Sequence, residues 1–518
     1  MRARHFNIDW LIAPFLALTA LLLAKVTPQQ QIDDAYITYR YAYNLLEHGQ
    51  LVWNQGQFLE GQTNLLWSLL LAAVAFLTNS EIPAVSQTLC LLLGATNAIL
   101  LFHMARAFGL PRPASLLLSL AFMLTPAAIG FSLAGLESAL VAMLTAGAII
   151  ATLRQMPHLT ALLAGLLFMA RPDAAVIAIA LVGIDFAGTR SLSGVLHRWW
   201  PALLLALGTE AFRALYYHAL VPNSIIAKSL PLSLILGDCW KYHTKPYLLE
   251  FLAWPTAWLF IASAILGVLA AWRASFATNQ RLGWLGVVVL LATLLMVVRN
   301  GGDWMEHFRL ISQYYPAYAA GLCVFLASAR LPRPTLRLAT GMAICGISVF
   351  LSVSAAWPQW SVRNAKLAQN EVSIDPFYRS LPGRLAGLDL NGLTLSSEAA
   401  GMPLFILPQI KGHDPLGLLD PWLSRHGNPA ITYGRIDLNY SFFEVQPDIA
   451  LFHWSGHLLG VTNKQALLQR YEIRCFSGCD SLELAKLVLL KRSLPEAVRQ
   501  RFTDLPLWQM ADEYVARP

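Results

Sequence analysis

The chain has 518 residues, of which 56% are hydrophobic and only 13% charged, with a mean hydropathy of +0.51. Soluble domains carry about 25% charged residues, so this composition, with its long uncharged runs, excludes an ordinary soluble protein and indicates a polytopic membrane protein. The net charge of +7 carries little weight as a nucleic-acid signal, because most arginines stand singly between apolar runs, where they act as topology signals.

MRARHFNIDWLIAPFLALTALLLAKV opens the chain. No small-x-small cleavage site follows its apolar run and Lys25 ends it, so it reads as a retained first helix rather than a signal peptide. Window reading predicts apolar spans at 9–26, 84–106, 113–133, 137–153, 158–171, 173–188, 199–220, 250–272, 283–299, 312–330 and 336–356. The run NLLWSLLLAAVAFLT (64–78) falls short of the roughly 20 residues that a crossing needs and reads as an interfacial or re-entrant helix. Arg2 and Arg4 place the N-terminus inside. Alternation then puts Arg106 with Arg112, Arg154 with His158, Arg190 with Arg198, Arg273 with Arg281, and Arg330 with Arg333 and Arg337 on that same side. This agreement favours about eleven crossings.

The opposite, outer face receives IDDAYITYRYAYN within a first outer loop at 27–83, then AGLES (134–138), ARPDA (170–174), VPNSIIAKS (221–229) and RNGGDWMEHFR (299–309). Asp33, Asp34, Glu137, Asp173 and Asp303 all lie at span ends, which avoids the cost of about 2.5–3.5 kcal/mol for a charge at the bilayer centre. Their convergence predicts one site assembled from several loops. The membrane part extends over 1–356. From 357 the composition turns polar and mixed, with strand-like runs LTLSS (393–397), PLFIL (403–407) and DIALFHW (448–454) between helix-like pieces. This predicts a C-terminal α/β domain over 357–518 on the outer side. Four cysteines lie in or beside spans and read as packing residues. For Cys475 and Cys479 an oxidising compartment favours a disulfide; with His453 and His457 they also offer ligand types that a zinc ion uses, although the two histidines run on from a strand.

Each candidate residue has a plain structural reading beside the chemical one. Asp33 or Asp34 can cap the helix that follows, but one acid suffices for that, and a second is left to face a cavity. Arg40 lies about two turns on, among Tyr36, Tyr39, Tyr41 and Tyr43, which read as interfacial anchors. Arg171, Lys228, Arg299, Arg309 and His307 are outer-face cations or potential cations; singly each is a snorkelling or paired residue, but together they suit a phosphate. Gly301 and Gly302 form a turn or a close backbone approach to a ligand. Glu210 and Arg213 are spaced for an i,i+3 ion pair.

DDAYITYRYAYNLLEHGQLVWNQGQFLEGQTNLLW resembles the first outer loop of the GT-C glycosyltransferases that use polyprenyl-phosphate sugars. The likeness is strongest to the arabinofuranosyltransferase-like branch, and AGLESAL, ARPDA, VPNSIIAKS, GGDWMEHFR and GHDPLGLLDPWLSRHG continue it in order from about residue 32 to 427. The resemblance implies an inverting sugar transfer in the bacterial inner membrane, on its periplasmic side. The catalytic base would be Asp33 or Asp34. Arg171, Lys228, Arg299, Arg309 and His307 would hold the donor phosphate. Arg40, Glu60, Glu137, Asp173, Asn223 and Asp303 would meet sugar or acceptor. The acceptor would be a cell-envelope glycan, protein or lipid. Some members of the superfamily use a divalent ion; Asp33, Asp34 and Asp303 carry suitable oxygens, but no ligand spacing demands one, and the expectation leans to no metal. The competing readings are a lipid-linked sugar flippase, for which inverted repeats and midplane charges would be expected and no internal repeat is found, and a scaffold without chemistry.

Overall fold

The computed structural model describes residues 9–26, 31–272, 278–303, 305–328, 376–431 and 433–517, with short helical pieces between 339 and 354. Arg2, Arg4, Arg273, Arg330, Arg333 and Arg337, part of the span expected at 336–356 and the polar stretch after it lie outside the described residues. The body is helical: α1 (Asp9–Val26), α2 (Asp33–His48), α3 (Leu65–Thr78), α4 (Ile82–Ala107), α5 (Arg112–Met123), α6 (Pro126–Phe131), α7 (Ser138–Leu153), α8 (Pro157–Ala170), α9 (Ala175–Thr189), α10 (Leu192–Phe212), α11 (Asn223–Ala227), α12 (Pro255–Trp272), α13 (Leu285–Asn300) and α14 (Tyr315–Ser328). By length and composition, 82–107, 172–189, 255–272 and 282–300 are able to cross a membrane, while α3, α5, α7, α8 and α14 are apolar but shorter. The 14 residues of α3 rise only about 21 Å, less than a hydrocarbon core of about 30 Å.

Two expected spans are interrupted. The run 113–133 breaks between Met123 and Pro126 because proline supplies no N–H to the preceding turn; Thr125 caps the new helix by accepting from the Ala128 N–H. The run 250–272 restarts at Pro255. Small residues allow a close crossing of α12 with α14, where a Cβ on Gly267 would come within 2.6 Å of the Gly321 Cα.

The segments assigned to one face meet each other. The Ile32 N–H donates to the Ala134 carbonyl at 3.3 Å, and the Asn223 N–H to the Glu60 carbonyl at 2.7 Å. At the other end His158 Nδ1 bonds the Arg198 carbonyl at 3.2 Å and Arg198 pairs with Asp185 at 3.0 Å. Three of the tyrosines of α2, Tyr36, Tyr39 and Tyr41, are core residues rather than surface anchors, and Tyr43 is partly buried. Tyr39 is buried and donates to Ser86 Oγ at 2.8 Å, and Tyr41 donates to the Leu59 carbonyl at 2.7 Å.

The C-terminal region is built on a five-stranded mixed sheet of order β2-β1-β5-β7-β6, with β1 Thr394–Ser397, β2 Lys411–His413, β5 Ile449–Phe452, β6 Tyr471–Ser477 and β7 Lys486–Lys491, plus the hairpin β3 Asn428–Ala430 and β4 Gly434–Ile436. Strands β2, β1 and β5 run parallel; β7 is antiparallel to both β5 and β6. The expected strands at 393–397 and 448–454 form. PLFIL does not: Met402–Phe405 is a short helix, because Pro403 suits a first helical turn. Cys475 and Cys479 form a disulfide, so their sulfurs are not zinc ligands. His457 faces Glu398 instead, and His453 bonds the Tyr378 hydroxyl.

The sheet region is bolted to the first loop through buried polar bonds. Arg40, 3% exposed, donates to the carbonyls of Trp53, Leu404 and Ile410. Asn54 exchanges bonds with the Gly412 backbone, both at 2.8 Å. Arg40→Ala leaves the Leu404 and Ile410 carbonyls unsatisfied, at about 1–3 kcal/mol each, while the Trp53 carbonyl keeps the Asn44 side-chain N–H at 3.0 Å. The expected outcome is faster proteolysis within 376–517 and a lowered melting temperature in detergent; an unchanged cleavage pattern would show that the bolt lies elsewhere.

Candidate active site

At the ends of the helices, the segments AGLES, ARPDA and RNGGDWMEHFR meet in a buried charge network. Glu137, at the start of α7, receives Arg171 Nη1 at 2.6 Å on one oxygen and Asn64 Nδ2 at 2.8 Å on the other, with Arg309 Nη1 at 3.9 Å. Arg171 Nε reaches Asp173 at 2.9 Å, and Asp173 accepts from the Tyr314 hydroxyl at 2.7 Å. Glu137 and Arg171 are almost fully buried. Buried ions need partners of this quality to offset their desolvation, so Glu137, Arg171 and Asp173 form a rigid frame.

The adjacent acids of α2 have different surroundings. No side chain caps α2 at Ile32. Instead the Asp33 carboxylate reaches across to the C-terminal region and accepts from the Gly401 N–H at 3.0 Å and the Met402 N–H at 2.7 Å. It thereby caps helix Met402–Phe405 rather than its own. The approach is so close that a Cβ on Gly401 would overlap the Asp33 carbonyl oxygen. Burial pushes the Asp33 carboxyl up to about 7, against the opposing pull of those two N–H groups.

Asp34 makes no hydrogen bond through its carboxylate among the described residues. Burial pushes its carboxyl above the usual range, while Lys228 and Arg309 pull it back and Asp303 and Glu137 push it further. Lys228 shows the reverse: burial lowers its ammonium, and Asp34 and Asp303 raise it. Asp34, Lys228, Asp303 and Arg309 thus form one interacting cluster beside the frame. Among the described residues, Asp303 Oδ2 and Arg309 Nε are buried without a hydrogen-bond partner. An orphaned acceptor and an orphaned donor in one cluster mark where a polar ligand would complete the bonding.

The loop that carries Asp303 has an unusual backbone. Gly301 and Gly302 have φ of 77° and 112°, and His307 and Phe308 have φ of 63° and 52°. Left-handed backbone at non-glycine residues costs roughly 1–2 kcal/mol each and is sustained only where the surroundings over-determine it. Here Phe308 is clamped by Tyr247, Phe251 and Trp254 at ring distances of 5.1–5.3 Å, and the His307 ring lies against Gly130, where a Cβ would come within 2.6 Å of it.

The remaining expected residues lie outside this cluster. Arg299 is exposed, with Nη2 3.5 Å from Ser229 Oγ. Both Glu60 oxygens accept from Arg213, at 2.8 and 3.2 Å, and Arg213 also makes the expected pair with Glu210 at 2.7 Å. Asn223 donates to the carbonyls of Gly417, Leu418 and Asp420, and Arg40 serves the bolt already described. Asn64, Gln313 and Tyr314 belong to the frame but were not read from the sequence. Asn64 stands inside the first-loop motif; amides and tyrosines among apolar residues give no charge signal.

The donor set suits a divalent ion poorly. Asp33 is committed to backbone N–H groups, Asp34 and Asp303 share their cluster with two cations, and the described residues contain no group of three or more metal-ligand side chains.

No protein-family model matches the chain. A terminal β-(1→2)-arabinofuranosyltransferase of Corynebacterium glutamicum is 28% identical over 354 residues, 58% of this chain and 49% of that protein. The match thus spans about half the length of that relative. The oligosaccharyltransferase of Archaeoglobus fulgidus in the apo form gives a TM-score of 0.54 at 11% identity, over 92% of this chain and 74% of that one. ArnT from Cupriavidus metallidurans bound to undecaprenyl phosphate gives 0.51 at 12% identity, over 94% and 99%. The two solved structures establish a GT-C fold, and the resemblance carried by the motifs, to GT-C glycosyltransferases and their arabinofuranosyltransferase-like branch, agrees with all three proteins.

Proposed function

We propose that the chain is a multi-pass glycosyltransferase of the bacterial inner membrane. It transfers a sugar, with arabinofuranose the first candidate, from a polyprenyl-phosphate donor to a cell-envelope glycan, protein or lipid on the periplasmic side. The reading keeps about eleven crossings and a periplasmic α/β domain from 357 onward. The observation that carries it is the contrast within the acid pair: Asp33 is spent on the Gly401 and Met402 N–H groups, while Asp34 is left beside Lys228 and Arg309.

In this reading Asp34 is the base. It takes the proton from an acceptor hydroxyl as that oxygen attacks the sugar C1 from the face opposite the phosphate, inverting the centre. The C1–O bond to phosphate breaks, and Lys228 and Arg309 stabilise the charge that grows on the departing phosphate. Polyprenyl phosphate is a good enough leaving group that no acid need protonate it. Glu137 and Arg171 position Arg309 rather than touch the reacting atoms. The membrane supplies the donor and the periplasm supplies the acceptor, which accounts for a site at the ends of apolar helices beneath a polar region. The relatives named above are transferases, which favours this reading over the flippase.

The test is release of polyprenyl phosphate by the full chain in nanodiscs, offered polyprenyl-phosphoryl arabinofuranose, mannose and aminoarabinose together with cell-envelope extract, with and without EDTA. Release from one donor, unaffected by EDTA, is expected. No release from any of them, with labelled lipid crossing the bilayer instead, would overturn the proposal in favour of transport.

A further inference from the structure

A cavity that the proposed transfer chemistry does not use opens between the first loop and the sheet edge at β2. Its volume is about 320 Å³, and its walls include Gln57, Lys411, His413, Asp420, Tyr440 and Glu444. Small-ligand pockets run from about 300 to 1,000 Å³. One side is aromatic. Tyr440 stacks on Trp422 at 4.0 Å with 12° between the rings, and Trp422 stacks on His426 at 5.0 Å. Trp422 is 37% exposed, so a broad flat surface continues from the cavity to solvent.

The polar side is held in place. Asp420 accepts from the N–H groups of Trp422 and Leu423 at 2.9 and 2.8 Å, and lies 3.5 Å from the Nδ1 of buried His413. Among the described residues, neither Lys411 nor Glu444 has an ion-pair partner. This combination fits a neutral ring bearing several hydroxyls. Its C–H face packs on an aromatic ring, its O–H groups donate to carboxylates, and its oxygens accept from an ammonium. A phosphate fits badly, since one lysine stands among the carboxylates of Asp414, Asp420 and Glu444.

We propose that this cavity binds a saccharide unit, and that the unit belongs to a glycan acceptor at a position remote from the reacting hydroxyl. The second clause rests on the glycosyltransferase reading; the first does not. Asn223 joins the two places. Its Nδ2 donates to the Asp420 carbonyl at 3.2 Å, and α11 runs from Asn223 to Ala227, directly before Lys228. The helix rise between Asn223 and Lys228 is about 7.5 Å, so one short helix links the contact with Asp420 to the charge cluster. Sugar held there contributes binding energy that orients the acceptor hydroxyl.

The test is saturation-transfer NMR of β-(1→2)-linked arabinofuranobiose, with mannobiose and galactobiose as further probes, on the full chain in nanodiscs. Wild type is compared with Glu444→Gln, Tyr440→Phe and Tyr440→Ala. Saturable binding of at least one disaccharide is expected, weakened at least tenfold by Tyr440→Ala and several-fold by Glu444→Gln, with Tyr440→Phe between wild type and Tyr440→Ala because it keeps the ring. Glu444 is exposed, so the Gln variant keeps the test valid if Tyr440→Ala fails to fold. Binding that is equal in all four proteins, or absent from wild type with every probe, overturns the proposal. Polyprenyl-phosphate release is measured on the same wild-type preparation. Its absence alongside specific disaccharide binding would overturn the transferase reading and leave the sugar site standing.

Discussion

Asp34→Asn will lower the rate of polyprenyl-phosphate release by about 10²- to 10⁴-fold, the range expected for loss of a positioned general base. Asp33→Asn will retain most of the chemistry and will instead loosen the C-terminal region. The asymmetry follows from what each carboxylate touches. Asp33 accepts two backbone N–H bonds across the junction, at 3.0 and 2.7 Å; an amide in its place turns an NH₂ group toward one of those donors. Asp34 has no such duty, and its surroundings are charged side chains. Rates and limited proteolysis measured on both variants separate the two roles. If Asp33→Asn abolishes release while Asp34→Asn does not, the assignment of the base is reversed.

The same assignment fixes the sign of the pH dependence. Burial raises the Asp34 carboxyl, so the base is lost on acidification at a pH above the usual carboxylate value of about 3.9. Burial lowers the Lys228 ammonium, so its charge is lost on alkalinisation below the usual value of about 10.4. The profile of kcat/KM is therefore a bell narrower than either free group would give. Lys228→Arg should move the alkaline limb upward and leave the acid limb in place, since a guanidinium does not titrate in that range.

The gross architecture was legible because a membrane imposes simple rules. Apolar runs of about 20 residues mark helices. The convergence of Glu137, Arg171, Asp173, Asp303 and Arg309 was legible for the same reason, as charges avoid the bilayer and collect where loops meet. The split within the pair Asp33 and Asp34 was not. It depends on Gly401 and Met402, more than 360 positions away, and no local pattern encodes a contact at that separation. The partners of Arg40 and Asn223 are equally distant in sequence. Each is a buried polar residue in a motif, and each proves to serve backbone carbonyls of the sheet region. PLFIL reads as a strand by composition, yet Pro403 and the Asp33 cap make it a helix. The tyrosines of α2 read as membrane anchors because the sequence does not say that the sheet region covers them; Tyr36 and Tyr39 pack edge-on against Phe405 at 5.5 and 5.9 Å.

Lys228 and Arg309 are expected to carry the leaving phosphate, and removing either should weaken binding of free polyprenyl phosphate as well as slow the transfer. A charge-assisted hydrogen bond contributes about 1.5–3 kcal/mol, equivalent to roughly 10- to 150-fold in Kd. Loss of a preorganised donor to the developing charge costs about 10²- to 10³-fold in kcat. The two residues should respond differently to conservative exchange. Lys228 acts as a point charge, so Lys228→Arg retains much of the affinity if the larger head fits. Arg309 reaches Glu137 at 3.9 Å with one nitrogen and keeps a buried Nε unpartnered, so a ligand can engage its fork while Glu137 orients it. Arg309→Lys keeps the charge but cannot do both, and should lose most of what Arg309→Ala loses. Exposed Arg299, held only by a 3.5 Å contact to Ser229, is the control; its replacement by alanine should change Kd by no more than about threefold, as for a surface charge. Titration of undecaprenyl phosphate into the four variants decides the matter. If Arg299→Ala is the damaging change and Arg309→Ala is silent, the phosphate sits at the exposed end of α13, and the buried cluster has another purpose.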